Sequence, residues 1–167
     1  MTSGSSAIIS PCQKYRYTLY RRIPQVVRWV KPCLFIMLNP SRADALLDDN
    51  TIRRCKGFAN SLLCTDLTVV NMFALRATYP ADLLLSPDPF GPDNERHLNE
   101  QLDIHWNIGV IIVAWGAHKI VRERSSVSLL KRLSERAHCL GMTKDGSPRH
   151  PLYVKADQPL VPWTYAA

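Results

Sequence analysis

The chain has 167 residues, 46% of them apolar, with 21 Lys and Arg against 14 Asp and Glu for a net charge of +7. A chain of this size buries roughly 70% of its unfolded surface, enough for one domain, expected to span 1–167. Its apolar runs, such as Val110 to Trp115, fall far below the roughly 18 residues of a membrane span. No basic start leads into an apolar h-region either, so an unexported chain with no membrane association is expected.

The five cysteines (Cys12, Cys33, Cys55, Cys64, Cys139) are widely spaced and form no C-x-x-C pair. Reduced thiols in a cytoplasmic setting are the simplest account. No two of the five histidines stand three or four residues apart, so no helix face offers a two-histidine metal edge, and neither a metal nor a cofactor is expected.

In chain order, Met1 to Ser10 is small and polar and is expected to fray. Residues 1–32 hold six basic side chains and no acidic one, so most of the positive surplus is amino-terminal. Within it, Tyr15-Arg16-Tyr17-Thr18-Leu19-Tyr20-Arg21-Arg22 alternates as a strand and would offer a cationic, aromatic face. Such a face suits a phosphate backbone, and it equally suits an edge strand kept unpaired by charge.

The run LFIML (34–38) is apolar on both faces, as a strand covered from both sides of a parallel sheet should be. Asn50-Thr51 can cap a helix whose apolar residues Ile52, Cys55, Phe58, Ala59, Leu62 and Leu63 recur at helical spacing. Leu67 to Phe73 is a second buried strand, Pro80 starts a short helical turn, and the Pro- and Asp-rich stretch 86–93 is a loop ending in a cap. A helix over 94–106 buries Leu98, Leu102 and Ile104 or Trp106. Ile108 to Trp115 is the strongest strand, 117–137 a long helix, and 138–141 a short fourth strand. The tail from Pro159 is expected to lie across the body. This alternation indicates a three-layer α/β fold with a largely parallel sheet.

Each buried strand is apolar until its carboxyl end: LFIML ends in Asn39, LTVV in Asn71, GVIIVA in Trp115-Gly116, and the fourth leads through Gly141, Lys144 and Gly146 to His150. In an open parallel sheet these ends share one edge, where such folds bind ligands. Two amides, an imidazole and an indole beside glycine can read a flat heterocycle with neutral polar edges. Pro40, Ser41 and Phe73 flank the two amides and are assigned with them to substrate binding. Asp44, Asp48 and Asp49 follow in the next loop, and no Gly-rich phosphate cradle is present. Taken alone, Asn39-Pro40-Ser41 reads more simply as an Asx-type turn. The functional case lies in the shared position of several strand ends.

From Tyr15 to about Tyr153, the strings MLNPSRADALLDDNTIRRC, VVNMFALRATYPADLL, AWGAHK and CLGMTKDGSPRHPLY resemble the bacterial and phage family filed as the domain of unknown function numbered 1643. More remotely, the order of motifs resembles the uracil-DNA glycosylase superfamily. Its members have a strand ending in Gly-x-Asp/Asn-Pro, one ending in Leu-Asn, one ending in Trp-Gly, and a His-Pro loop carrying a leucine wedge. That resemblance implies a mostly parallel four-stranded central sheet in a three-layer sandwich, to which the basic strand would add antiparallel.

The same resemblance implies that Asn39 positions an attacking water, Asn71 reads the base edge, His150 bonds the base carbonyl and Leu152 approximates the wedge. Because an amide cannot act as a general base, Asp44 or Asp48 is the candidate for that role. Arg16, Arg21, Arg22, Arg53, Arg76, Lys144 and Arg149 would contact a nucleic-acid backbone. The expected function is hydrolysis of an N-glycosidic bond of a base, modified or not, in DNA or a nucleotide. A non-catalytic nucleic-acid-binding protein and an enzyme acting on a free nucleoside are the alternatives.

Overall fold

The computed structural model describes residues 4–165. A seven-stranded mixed sheet runs in the order β1-β2-β4-β3-β5-β6-β7. Its centre is parallel: β3 (Pro32–Met37) lies between β4 (Asp66–Asn71) and β5 (Val110–Val113), and β6 (His138–Cys139) continues outward from β5. The edges are antiparallel, with β2 (Arg16–Arg22) and then β1 (Ser5–Ile9) beyond β4, and β7 (Val161–Pro162) beyond β6.

Two expectations are corrected at these edges. The sheet is larger than four strands plus one, because the tail pairs as β7 and not merely across the surface. Residues 5–9, expected to fray, form β1, whose small and β-branched side chains suit a strand closing an exposed edge; residues 1–3 of that stretch lie outside the described residues.

The sequence pattern accounts for the layers. Every residue of β3 is buried, and successive side chains of a strand point to opposite faces. Accordingly Leu34 and Ile36 join one apolar cluster, with Leu98, Leu102, Leu130 and Leu133 of the helices. Cys33, Phe35 and Met37 join the other, with Ile52, Cys55, Phe58 and Ala59. The helix α1 (Asn50–Ser61) therefore covers one face, and α3 (Asn94–Trp106) and α5 (Val127–Ser134) the other, while α2 (Ala81–Leu85) and α4 (Lys119–Arg124) sit in the connections.

The long helix expected over 117–137 is two. Ser125 and Ser126 adopt extended conformations between α4 and α5, as residues that favour caps over helix interiors do. On α3, Ile104 is 55% exposed, while Trp106, the alternative, packs half-buried against the core, and His97 and His105 are buried as well. No helix among the described residues is long and apolar enough to cross a membrane.

The basic strand differs most from its expected setting. It is interior, paired on both sides, and Arg16 and Arg21 are each only 2% exposed. The 41–49 loop folds over them and supplies acceptors. Arg16 Nη1 donates to the Ala43 carbonyl at 2.8 Å, and Arg21 Nη2 to those of Asp44 at 2.5 Å and Leu47 at 3.3 Å. Arg21 Nε also bonds Asp48 at 2.7 Å. Only Arg22 of the three is exposed, so the strand offers no continuous cationic face, nor is it an edge. The pairing of β1 removes the edge, and the loop closing over Arg16 and Arg21 removes the face.

Candidate functional site

The parallel strands end together. Met37 pairs with Asn71 and Ile36 with Val113, and the ladder continues one step further, with Met72 N–H donating to the Met37 carbonyl and Ala114 N–H to that of Ile36. Past this line the chain must leave the sheet, and the departing segments enclose a cleft of about 540 Å³, within the roughly 300–1,000 Å³ of small-molecule sites. Of the residues singled out in the sequence, Asn39, Ser41, Asn71, Trp115, Gly116 and His150 line it. Arg16 and Arg149 line it too.

Asn71 is the most telling residue. It is 1% exposed, and neither Nδ2 nor Oδ1 has a hydrogen-bond partner. A buried amide left unpaired costs about 1–3 kcal/mol per group, so a residue serving stability alone would not be an asparagine here. Its backbone is anchored from behind: Asn94 Nδ2, at the start of α3, donates to the carbonyls of Asn71 at 3.0 Å and Met72 at 3.2 Å. The side chain is thus held in place with a donor and an acceptor unused.

Asn39 is half engaged. Its Nδ2 donates to the carbonyls of Ala77 at 2.9 Å and Pro40 at 3.1 Å, which ties the turn after β3 to the one after β4. These bonds are not the expected Asx turn, in which Oδ1 would accept a backbone N–H; the nitrogen is engaged instead, and the Oδ1 acceptor is the group left for a ligand or water.

His150 caps the 3₁₀ turn Pro151–Tyr153, its Nδ1 accepting from Leu152 N–H at 3.3 Å. An accepting Nδ1 places the proton of the neutral ring on Nε2. Burial pushes the His150 pKa down, with Asp49 opposing and His118 adding to the shift, so the ring is a neutral donor at pH 7. Two residues position this loop. Gly116 N–H donates to Pro148 O at 2.9 Å, from a backbone at φ +79° that favours glycine. Arg54 of α1 donates from Nε to Pro151 O at 3.2 Å and from Nη2 to Val154 O.

Several assigned residues lie elsewhere. Phe73 is wholly buried and packs on Phe90 with ring centroids 4.9 Å apart, so it belongs to the core. Leu152 is 45% exposed, outside the cleft lining. Pro40 is buried, its carbonyl accepting from Ala77 N–H. Arg53 and Lys144 are exposed away from the lining, and Arg76 reaches the Gln13 carbonyl at 3.4 Å.

The carboxylates are redistributed. Asp44 Oδ1 accepts from Leu46 and Leu47 N–H at 2.8 and 2.9 Å, which lowers its pKa. Asp48 is held by Arg21 at 2.7 Å and Lys56 at 2.8 Å; desolvation raises its pKa but these two bonds outweigh it and leave it low. Neither lines the cleft, whereas Asp49 does. Its Oδ1 caps α1 by accepting from Ile52 N–H at 2.9 Å. Asn50-Thr51, the expected cap, is one residue further on and forms the first turn of the helix. The signal that could have found Asp49 was available, since an N-cap on the helix following a strand's carboxyl end faces the same edge.

The buried histidines give the first expected result. Desolvation lowers the pKa of His97, His105 and His150, while in the unfolded chain each should titrate near about 6.5. Above that pH both states are neutral and stability is unaffected. As pH falls from about 6.5 through the lower native values, the unfolded chain takes up protons that the native state resists, and stability falls. Denaturation midpoints measured from pH 8 to 5 should be level at first and then decline; a rise on acidification would contradict these environments.

A comparison with curated proteins and one with solved structures found no match. Residues 16–152, from the first residue of β2 to the 3₁₀ turn after His150, match the model of the family described as "Protein of unknown function (DUF1643)", and the chain belongs to that family.

Proposed function

We propose that this protein is a nucleobase-recognising enzyme with a uracil-DNA glycosylase-like arrangement, hydrolysing the N-glycosidic bond of a base in DNA or in a nucleotide. The observation that carries the reading is the Asn71 amide, buried in the cleft at the end of a central strand with both polar atoms unpaired. A pyrimidine edge offers a donor and an acceptor side by side and would satisfy both atoms at once. His150, a neutral Nε2–H donor, would stabilise charge on the departing base as an oxyanion-hole donor does. Asn39 Oδ1 would hold the attacking water, and Asp49 takes the general-base role in place of Asp44 and Asp48.

The test is incubation with single- and double-stranded oligonucleotides carrying uracil, hypoxanthine, hydroxymethyluracil or mismatches, and with the corresponding nucleosides and nucleotides. Abasic product or free base is the readout, and none from any substrate would end the hydrolase reading. Loss of a general base typically costs 10²–10⁴-fold in rate, so Asp49→Asn should lower turnover by about that much and leave the fold intact. Unchanged turnover would remove Asp49 from the mechanism. Burial of Arg16 and Arg21 takes two cations from any continuous surface facing a polymer, which favours a free nucleotide over DNA within this reading and supports the second reading, action on a free nucleoside.

A further inference from the structure

The antiparallel direction of β2 puts its first residue at the edge where the parallel strands finish. Arg22 pairs with Asp66 at the start of β4, whereas Arg16 N–H bonds the Ala74 carbonyl beyond the end of that strand. Arg16 consequently reaches the cleft beside Asn71, and Arg22 is at the opposite edge.

The state of Arg16 there is unusual. It is 2% exposed and lines the cleft, Nε is buried with no partner, and Nη1 meets a neutral carbonyl. Among the described residues no carboxylate lies within ion-pair distance of it: Asp48 is taken by Arg21 and Lys56, and Asp44 by backbone N–H groups. Asp49, in the same cleft, acts on it only at longer range. Burial lowers its pKa to about 10, which still leaves a full positive charge at pH 7. A buried charge without a paired counter-ion is costly. An anion arriving in the cleft would supply one, and the exposed Arg149 on the lining adds a second cation.

We infer that the ligand of this cleft carries a phosphate, bound by the buried guanidinium of Arg16 while the base meets Asn71. The base part of this rests on the proposed function; the phosphate part does not. The cation that reads the phosphate is inside the pocket, so the group recognised belongs to the same nucleotide as the base. That phosphate is either the 5′-phosphate of a free nucleotide or a phosphodiester of a strand entering the cleft.

Isothermal titration of the wild-type chain with the four common nucleosides, their 5′-monophosphates, ribose 5-phosphate and a short single-stranded oligonucleotide tests this. A charge-assisted guanidinium–phosphate bond predicts at least about tenfold tighter binding of the phosphorylated probes than of the nucleosides. Arg16→Met should erase that difference while the fold persists, since it removes a buried charge whose desolvation no counter-ion offsets. Asp49→Asn, which removes a carboxylate from the cleft, should tighten phosphate binding and serves if Arg16→Met fails to fold.

Arg16-dependent binding of the monophosphates identifies a free nucleotide, and the same dependence confined to the oligonucleotide identifies the polymer. Equal affinity for phosphorylated and unphosphorylated probes, a preference surviving Arg16→Met, or no binding of any phosphate probe would overturn the inference. Arg16-dependent binding of ribose 5-phosphate, with no preference among bases and no effect of Asn71→Leu, would keep the phosphate site and discard base reading.

Discussion

Asn71→Leu is expected to make the protein more stable and to eliminate ligand binding. Asn71 stands at the end of a fully paired central strand, with Val69 and Val70 buried before it and Met72 and Phe73 buried after it. An apolar side chain of similar size would be at home there. Removing an unsatisfied amide should recover about 1–3 kcal/mol, and in a domain of 150–250 residues each kcal/mol is worth about 2–4 °C in melting temperature. A ligand reading both amide atoms would lose both bonds. A cost in stability, or undiminished binding, would mean that Asn71 serves the fold.

Arg21→Ala is expected to cost about 3–5 kcal/mol, the range for breaking a buried ion pair from one side, although Arg21 does not line the cleft. It bonds Asp48 at 2.7 Å and the carbonyls of Tyr20 at 2.9 Å, Asp44 at 2.5 Å and Leu47 at 3.3 Å. The bonds to Asp44, Leu47 and Asp48 hold the 41–49 loop against β2 and set Asp49 at the head of α1. Against a total stability of 5–15 kcal/mol typical of a domain, such a loss is severe. Urea denaturation would measure it. A phosphate-contacting surface arginine behaves otherwise: stability stays near wild type, and the slope of log affinity against log salt shrinks by about one. That outcome would contradict the buried placement.

Asn94 and Arg54 show where reading the sequence stops. Asn94 reads as a helix start, and its Nδ2 bridging the carbonyls of Asn71 and Met72 joins two elements about twenty residues apart. Arg54 is one of several charged residues between the apolar positions of α1, yet it clamps the His150 loop roughly a hundred residues away. Such partners are invisible to local spacing because they are chosen by which segments meet after the sheet has formed.

Hydrophobic pattern was sufficient for the four parallel strands, the helices α1 and α3 and the gathering of Asn39, Asn71, Trp115-Gly116 and His150 at one edge. These follow from apolar runs whose length and period admit few alternatives, and from the rule that parallel strands end on the same side. The charged residues were settled otherwise. Arginine spacing in β2 suggested an outward face, but the pairing of β1 and the closure of the 41–49 loop turned Arg16 and Arg21 inward, leaving Arg21 as a structural tie and Arg16 as a cation in the cleft. A charge takes its role from the groups that surround it once it is desolvated, and those groups come from distant parts of the chain.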